Sequence, residues 1–260
     1  MTSNEHSEQV RCFDSDRYLA SLLAEPSDQK KLHLLYCANL EIAKSAWTSP
    51  EPMISEIRLQ WWKDNLVKSS EYKESSTHIV KDLVALFEAN DIPLTLINEM
   101  VDARSWDLLS KPFKSQDDQI KYIDKTYGNL YWAGALLLGV DRNMESLVRK
   151  YAFGAGLASF FSAVKRLESL GKRPLIKTSN ESIKSLGKLG MKSFDEGVKG
   201  LRSQKKLFPV LLSAWTTKTL LKQVIKNPST VKSGDLSVKN ITKKWGFLWR
   251  STLRLSLIHI

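Results

Sequence analysis

The chain has 260 residues, 42% of them hydrophobic and 26% charged, which is typical of a soluble globular protein. No stretch reaches the roughly 20 apolar residues that a bilayer-spanning helix needs, and the only cysteines, Cys12 and Cys37, argue against a disulfide framework or a zinc site. The polar, acidic N-terminus resembles neither a secretory signal nor a transit peptide, so we expect a cytoplasmic protein.

The chain carries 39 Lys and Arg residues against 28 Asp and Glu residues, a formal net charge of +11. Such an excess favours an anionic partner, namely a phosphate-bearing ligand, a membrane surface or nucleic acid. The lysines are scattered, so a generally basic surface without a specific partner is the alternative. No basic stripe or nucleic-acid-binding motif is present, and we therefore expect no nucleic-acid partner.

We expect residues 1–13 to form a flexible leader, followed by one helical domain over residues 14–254. Its first half is dominated by a helical hairpin from Leu32 to Leu66, interrupted by the sequence TSPEP. On the second helix of this hairpin, the spacing places Ile54, Ile57 and Trp61 inward, with Trp62 on a flanking face. Trp61 is therefore predicted to be the buried tryptophan of the pair.

Further apolar stripes at helical spacing follow as far as residue 225, and no run shows the two-residue alternation of a strand. The sequence predicts an all-α fold. Gly139 is expected to end a long helix that begins near Asp118. Gly154 and Gly156 lie inside a later helix, where each costs roughly 1 kcal/mol relative to alanine, so close packing or a ligand is expected there.

The C-terminal region carries two separate predictions. Residues 243–254, KKWGFLWRSTLR, interleave basic and aromatic side chains, which suits either contact with a membrane surface or a final helix packed on the bundle. Residues 255–260, LSLIHI, resemble the translation of a sequencing adapter, and we expect them to be an artefact.

Seven stretches follow one another in order along the chain: LLYCANLEIAKSAW, EIRLQWWKDNL, DARSWDLL, YIDKTYGNLYWAGALLLG, GLASFFSAVKRLESLGKRPL, LFPVLLSAW and KKWGFLWRSTLR. Together they resemble the squalene/phytoene synthase family. The resemblance implies a single all-α domain of the isoprenoid synthase type, in which two aspartate-rich motifs face one another across a central cavity. In that family the aspartates hold Mg²⁺, which binds prenyl diphosphate; hard oxygen ligands suit this ion.

The chain departs from the family pattern at both motifs. Ala43 and Trp47, or their neighbours, stand where the first motif has aspartates, and Lys44 adds a positive charge nearby. This pattern is more similar to an aspartate-poor branch of the family, which includes a mitochondrial complex I assembly factor and its bacterial relatives. The resemblance implies three sets of candidate site residues. The weak catalytic acids are Glu41 and Glu168. The candidates for binding a diphosphate or another anion are Arg58, Lys165, Arg166, Lys172 and Arg173, and the cavity aromatics are Tyr36, Trp61 and Tyr122.

Each candidate has a simpler structural alternative. For Arg58 the alternative is an ion pair with Glu41 or Glu51. For the basic residues near position 166 it is a favourable interaction with the negative C-terminal end of a helix dipole. We expect no metal site and no cofactor unless the chain is an active enzyme, in which case Mg²⁺ is required.

Two functions follow from the resemblance. In the first, the protein is a binding or assembly factor near the inner face of a membrane, with an isoprenoid ligand or a membrane-complex subunit as partner. In the second, it is a Mg²⁺-dependent transferase that condenses two prenyl diphosphates head to head, as in squalene or phytoene synthesis.

Overall fold

The computed structural model describes residues 3–47, 51–72 and 78–238. The prediction of an all-α fold is confirmed over these residues, which contain helices and no strands. The α-helices are α1 Ser3–Phe13, α2 Ser15–Ser21, α3 Pro26–Ser45, α4 Pro52–Val67, α5 His78–Ala89, α6 Thr95–Ala103, α7 Gln116–Ile123, α8 Asn129–Leu137, α9 Glu145–Ser169, α10 Asn180–Leu201, α11 Phe208–Leu211, α12 Thr217–Lys226 and α13 Ser229–Ser233.

Helix α9 lies between α10 on one side and the α7–α8 segment on the other, and its glycines allow both contacts. A Cβ on Gly154 would lie 2.5 Å from the Cβ of Phe194 and 2.8 Å from the backbone oxygen of Gly190. A Cβ on Gly156 would lie 2.7 Å from side-chain atoms of Ile123 and Tyr127. Of the two expectations for these glycines, close packing is the one found.

Two of the long helices that the sequence predicted are interrupted. A π-helical turn, Asp124–Gly128, joins α7 to α8, and the predicted core helix over 207–225 is divided into α11, a 3₁₀ segment and α12. The end predicted at Gly139 is confirmed, since this residue has a φ of +70°. Glycine adopts this conformation without the steric cost that a Cβ brings.

The prediction of a flexible leader at residues 1–13 is wrong. Residues Ser3–Phe13 form α1, which packs along α3 with His6 and Val10 buried. Gln9 on α1 receives a hydrogen bond from the thiol of Cys37 at 2.8 Å. The sequence of α1 is mostly polar, so its spacing gave no apolar stripe that would have predicted this packing.

The predicted orientation of α4 is also wrong. Trp62 is 3% exposed and Leu59 4%, whereas Trp61 is 37% and Ile57 62% exposed. The apolar residues of α4 lie on two faces, so their spacing alone left two solutions. The face of α4 that is buried in the core carries Ser55, Leu59, Trp62 and Leu66.

None of the helices in the described ranges is both long enough and apolar enough to cross a bilayer.

We predict that Gly154→Ala lowers the free energy of unfolding by about 1–3 kcal/mol, because the added methyl group meets the backbone of α10. Gly134→Ala is the matched control, since the atoms nearest to its Cβ would belong to side chains, those of Val210 at 3.3 Å and Leu32 at 3.8 Å. Both changes gain similar helix propensity. Urea unfolding measures the difference, and equal effects of the two substitutions would contradict the packing argument.

A second prediction concerns the buried histidines of the α1–α3 contact. The Nε2 of His33 lies 2.7 Å from the Oγ of Ser21, and burial lowers the pKa of His33, with the nearby His6 acting in the same direction. Burial also lowers the pKa of His6, although Asp82 opposes this. The folded state therefore binds protons less readily than the unfolded state.

As the pH falls below the ordinary histidine value of about 6.5, the free energy of unfolding should decrease by up to about 1.4 kcal/mol per pH unit per histidine. His33→Gln should flatten this dependence between pH 7 and pH 5. The exposed His78 provides the control substitution, His78→Gln. An unchanged slope in His33→Gln would show that this histidine does not produce the pH dependence.

Candidate functional site

The two stretches that resemble the aspartate motifs approach each other at the end of α3 and in the loop after α9. The Nζ of Lys172 lies 5.7 Å from the centre of the Trp47 ring, a cation–π contact. Burial lowers the pKa of Lys172, and the negative charge of Asp107 opposes this shift. A partly desolvated cation therefore lies between the two motif segments.

Asp107 belongs to a buried polar triad beneath this contact. Nη1 of Arg104 donates to Oδ2 of Asp107 at 3.2 Å and to the hydroxyl of Tyr122 at 3.0 Å. The hydroxyl of Tyr122 donates to Oδ1 of Asp107 at 2.9 Å. Burial raises the pKa of Asp107. The charge of Arg104 and the hydrogen bonds from Tyr122 and Arg104 oppose this shift without cancelling it.

Aromatic side chains surround the triad. The rings of Trp106 and Phe113 are stacked with their centres 4.0 Å apart, and Tyr122 and Phe160 lie against both. Nε1 of Trp106 is buried and has no hydrogen-bond partner. A buried donor of this kind suits an acceptor atom on a ligand.

A second polar cluster lies where α2, α3 and α8 meet. Arg17 forms an ion pair with Asp14, and its guanidinium lies 5.6 Å from the centre of the Tyr36 ring and 5.9 Å from that of Tyr131. The hydroxyl of Tyr36 is buried without a hydrogen-bond partner, and burial raises the pKa of Tyr36. The hydroxyl of Tyr131 is 2.9 Å from the Oγ of Ser213.

The three predicted cavity aromatics are divided between these clusters and the surface. Tyr36 is 2% exposed and Tyr122 is 8% exposed, each within one of the clusters. Trp61 lies on the outer face of α4, so its assignment to the interior is wrong; Trp62 takes the buried position.

The predicted acid of the first motif, Glu41, is held by its neighbours. Its Oε1 accepts a hydrogen bond from Nζ of Lys44 at 3.1 Å and another from the side-chain amide of Gln9. Arg58 is exposed on α4. Nζ of Lys44 also lies 4.0 Å from the centre of the Phe13 ring, so α1 covers this part of α3.

The second motif is more exposed. Glu168, Lys165 and Arg166 lie on the outer side of the last turns of α9, and Arg173 is exposed in the loop that follows. Of the four basic candidates in this region, Lys172 is the one that the fold brings to Asp107. Within the described parts of the chain, no group of three or more His, Cys, Asp or Glu side chains is arranged to hold a metal ion.

Sequence reasoning missed Arg17 and Arg104 as site residues. Each is the single basic residue of a short helical segment that also contains apolar residues. That pattern is the feature of the sequence that could have indicated a buried cation. Asp107 lies in the DARSWDLL stretch of the family resemblance, which by itself assigned no role to this residue.

The triad yields a stability prediction. Removing one partner of a buried ion pair leaves the other charged group without compensation, which typically costs about 3–5 kcal/mol. Arg104→Met should therefore destabilise the protein by roughly this amount. Since the double variant Arg104→Met/Asp107→Leu removes both charges, it should recover part of the loss.

Chemical denaturation of the two single variants and the double variant gives the coupling energy. The double variant being as unstable as the sum of the single variants would show that the two side chains do not interact.

Comparisons with known proteins agree with this architecture. The structure superposes on a dehydrosqualene synthase in complex with ligand with a TM-score of 0.79, covering 97% of this chain and 95% of that one at 12% identity. It superposes on the squalene synthase HpnC from Alicyclobacillus acidocaldarius with a TM-score of 0.72, covering 86% of this chain and 93% of that one at 12% identity. These matches confirm the predicted isoprenoid synthase type of fold.

One curated relative is the NADH dehydrogenase (ubiquinone) complex I, assembly factor 6 of Mus musculus. It is 25% identical over 135 residues, which make up 51% of this chain and 40% of that protein. The matched region therefore spans less than half the length of this relative.

The family model for squalene/phytoene synthase matches residues 10–172, which is more than half of the chain. This region contains both motif segments, the Arg104–Asp107–Tyr122 triad and the Arg17–Tyr36 cluster. The chain belongs to the squalene/phytoene synthase family.

Proposed function

We propose that this protein uses the squalene/phytoene synthase fold as a binding or assembly factor for a membrane complex, rather than as an efficient prenyltransferase. The observation that carries the proposal is the contact between Lys172 and Trp47. It joins the two segments that, in a Mg²⁺-dependent synthase, present carboxylates to each other. Here an ammonium group and an indole ring face one another instead.

The side chains at the motif segments do not fit Mg²⁺. This ion requires several oxygen ligands in near-octahedral geometry. Glu41 is engaged by Lys44 and Gln9, and Glu168 is exposed at the end of α9. Lys44 and Lys172 also place positive charge where a dication would have to bind, which is unfavourable.

The interior nevertheless retains features that suit a ligand with an apolar chain and an anionic group. Arg17 and Arg104 are cations set among buried aromatic rings. The hydroxyl of Tyr36 and Nε1 of Trp106 are buried polar groups without protein partners. We infer that an isoprenoid or a prenyl diphosphate binds here without being converted.

The similarity to a complex I assembly factor supports the choice of partner, a subunit of a membrane complex. Contact with the inner face of the membrane through residues 243–254 is part of the proposal. Those residues lie outside the part of the chain that the structure describes.

The direct test is turnover. Purified protein incubated with farnesyl or geranylgeranyl diphosphate and Mg²⁺ should release no pyrophosphate above the protein-free background, because opposing carboxylates are needed to draw off the leaving group. A dehydrosqualene synthase assayed in parallel provides the positive control. Magnesium-dependent turnover that Glu41→Ala or Glu168→Ala abolishes would instead establish the head-to-head transferase.

The assembly role requires its own measurement. Cells that lack the protein should contain less assembled complex I on native gels. Wild-type protein and the double variant Glu41→Ala/Glu168→Ala should restore it equally when expressed to the same level. Rescue by wild type alone would show that the acids are needed and would contradict a role independent of catalysis.

A further inference from the structure

A separate cavity of about 290 Å³ lies at the starts of α7 and α10, closed on one side by the residues that follow Pro174. One wall of this cavity is apolar and comes from three parts of the chain. Phe161 contributes from α9, Leu175 from the loop after it, and Ile183 and Leu186 from the first turns of α10. The preceding residue, Phe160, packs in the aromatic group around Trp106. Two consecutive residues of α9 therefore contact different regions, Phe160 the aromatic group and Phe161 this cavity.

The other side of the cavity carries hydrogen-bond donors. Lys114 and Lys177 line it together with the hydroxyl-bearing Ser182, and none of the lining residues is a carboxylate. Neither lysine forms an ion pair with a residue in the described ranges. The cavity therefore combines two exposed lysines with an apolar wall.

The helix ends add to the positive potential. Both α7 and α10 start at this cavity, and the N-terminal end of a helix carries a partial positive charge that favours anions. Asp117, Asp118 and Glu181 lie in the first turns of these helices, but they do not line the cavity. These three carboxylates reduce the positive potential around the helix ends, but they are not part of the cavity wall.

Gln119 is an independent indication of a ligand. The residue lines the cavity and is 2% exposed, and its Nε2 is buried without a hydrogen-bond partner. A buried amide without a partner is unfavourable, and such groups are usually satisfied by water or a ligand.

We propose that this cavity binds a phosphate ester that carries a short apolar group. The phosphate would accept hydrogen bonds from Lys114, Lys177 and the amide of Gln119, and the apolar group would lie against Phe161 and Leu186. A tetrahedral anion with three free oxygens matches donors that approach from several directions. The cavity is distinct from the Trp47–Lys172 region, so this inference does not depend on the proposed function.

Titration calorimetry with octyl phosphate, inorganic phosphate and octanol tests the proposal. Octyl phosphate should bind more tightly than inorganic phosphate or octanol. Inorganic phosphate lacks the apolar group that contacts the apolar wall, and octanol lacks the phosphate that accepts hydrogen bonds. Gln119→Leu keeps the volume and removes the donor, and should weaken binding of octyl phosphate about tenfold. Lys114→Ala/Lys177→Ala should weaken it by roughly fivefold or more.

Lys188→Ala is the matched control, since Lys188 is exposed on α10 and lies outside the cavity. It should bind octyl phosphate as wild type does. A melting curve of each variant establishes that it is folded. Equal affinity for octanol, or equal weakening by Lys188→Ala, would overturn the proposal.

A lipid headgroup presents the same chemistry as a soluble ester. Phosphatidylcholine vesicles with and without phosphatidic acid therefore form a parallel arm, with the same variants. Binding that depends on Gln119 in the vesicle arm alone assigns the cavity to a headgroup, and binding that depends on Gln119 in the octyl phosphate arm assigns it to a free ester. If neither arm depends on Gln119, the proposed site is wrong.

Discussion

The close approach of α9 to its neighbours is the constraint on which the rest of the structure depends. Gly154 brings the backbone of α9 against that of α10, and Gly156 allows Tyr127 and Ile123 to pack on the opposite side. A larger side chain at either position would separate the layers. This spacing lets Phe160 reach the aromatic group around Trp106 and leads the chain to the loop that carries Lys172.

The polar interior follows from that packing. Asp107, Arg104 and Tyr122 are buried together where the 3₁₀ segment after α6, which packs against α4, meets the helix α7, which packs against α9. Buried charges are tolerated when they are paired and hydrogen-bonded. The triad holds the carboxylate whose charge acts on Lys172. Lys172 and Trp47 join the two segments that resemble the aspartate motifs of the family.

Much of the fold was predictable from local pattern, whereas the site was predictable only in part. The helical spacing identified most of the helices, and the positions of Tyr36 and Tyr122 in the interior followed from the family resemblance. The orientation of α4 did not follow, since its apolar residues occupy two faces and both tryptophans satisfy the spacing. The residue pairs of the site, such as Arg17 with Tyr131, are distant in sequence and share no pattern.

The sequence by itself determined the all-α class and the resemblance to the squalene/phytoene synthase family, because periodicity and residue identity are local properties. Only the tertiary structure decided that residues Ser3–Phe13 cover α3, that Trp62 rather than Trp61 enters the core, and that Gln119 faces a cavity with two lysines. These outcomes depend on which surfaces compete for burial across the whole chain, and no single segment contains that information.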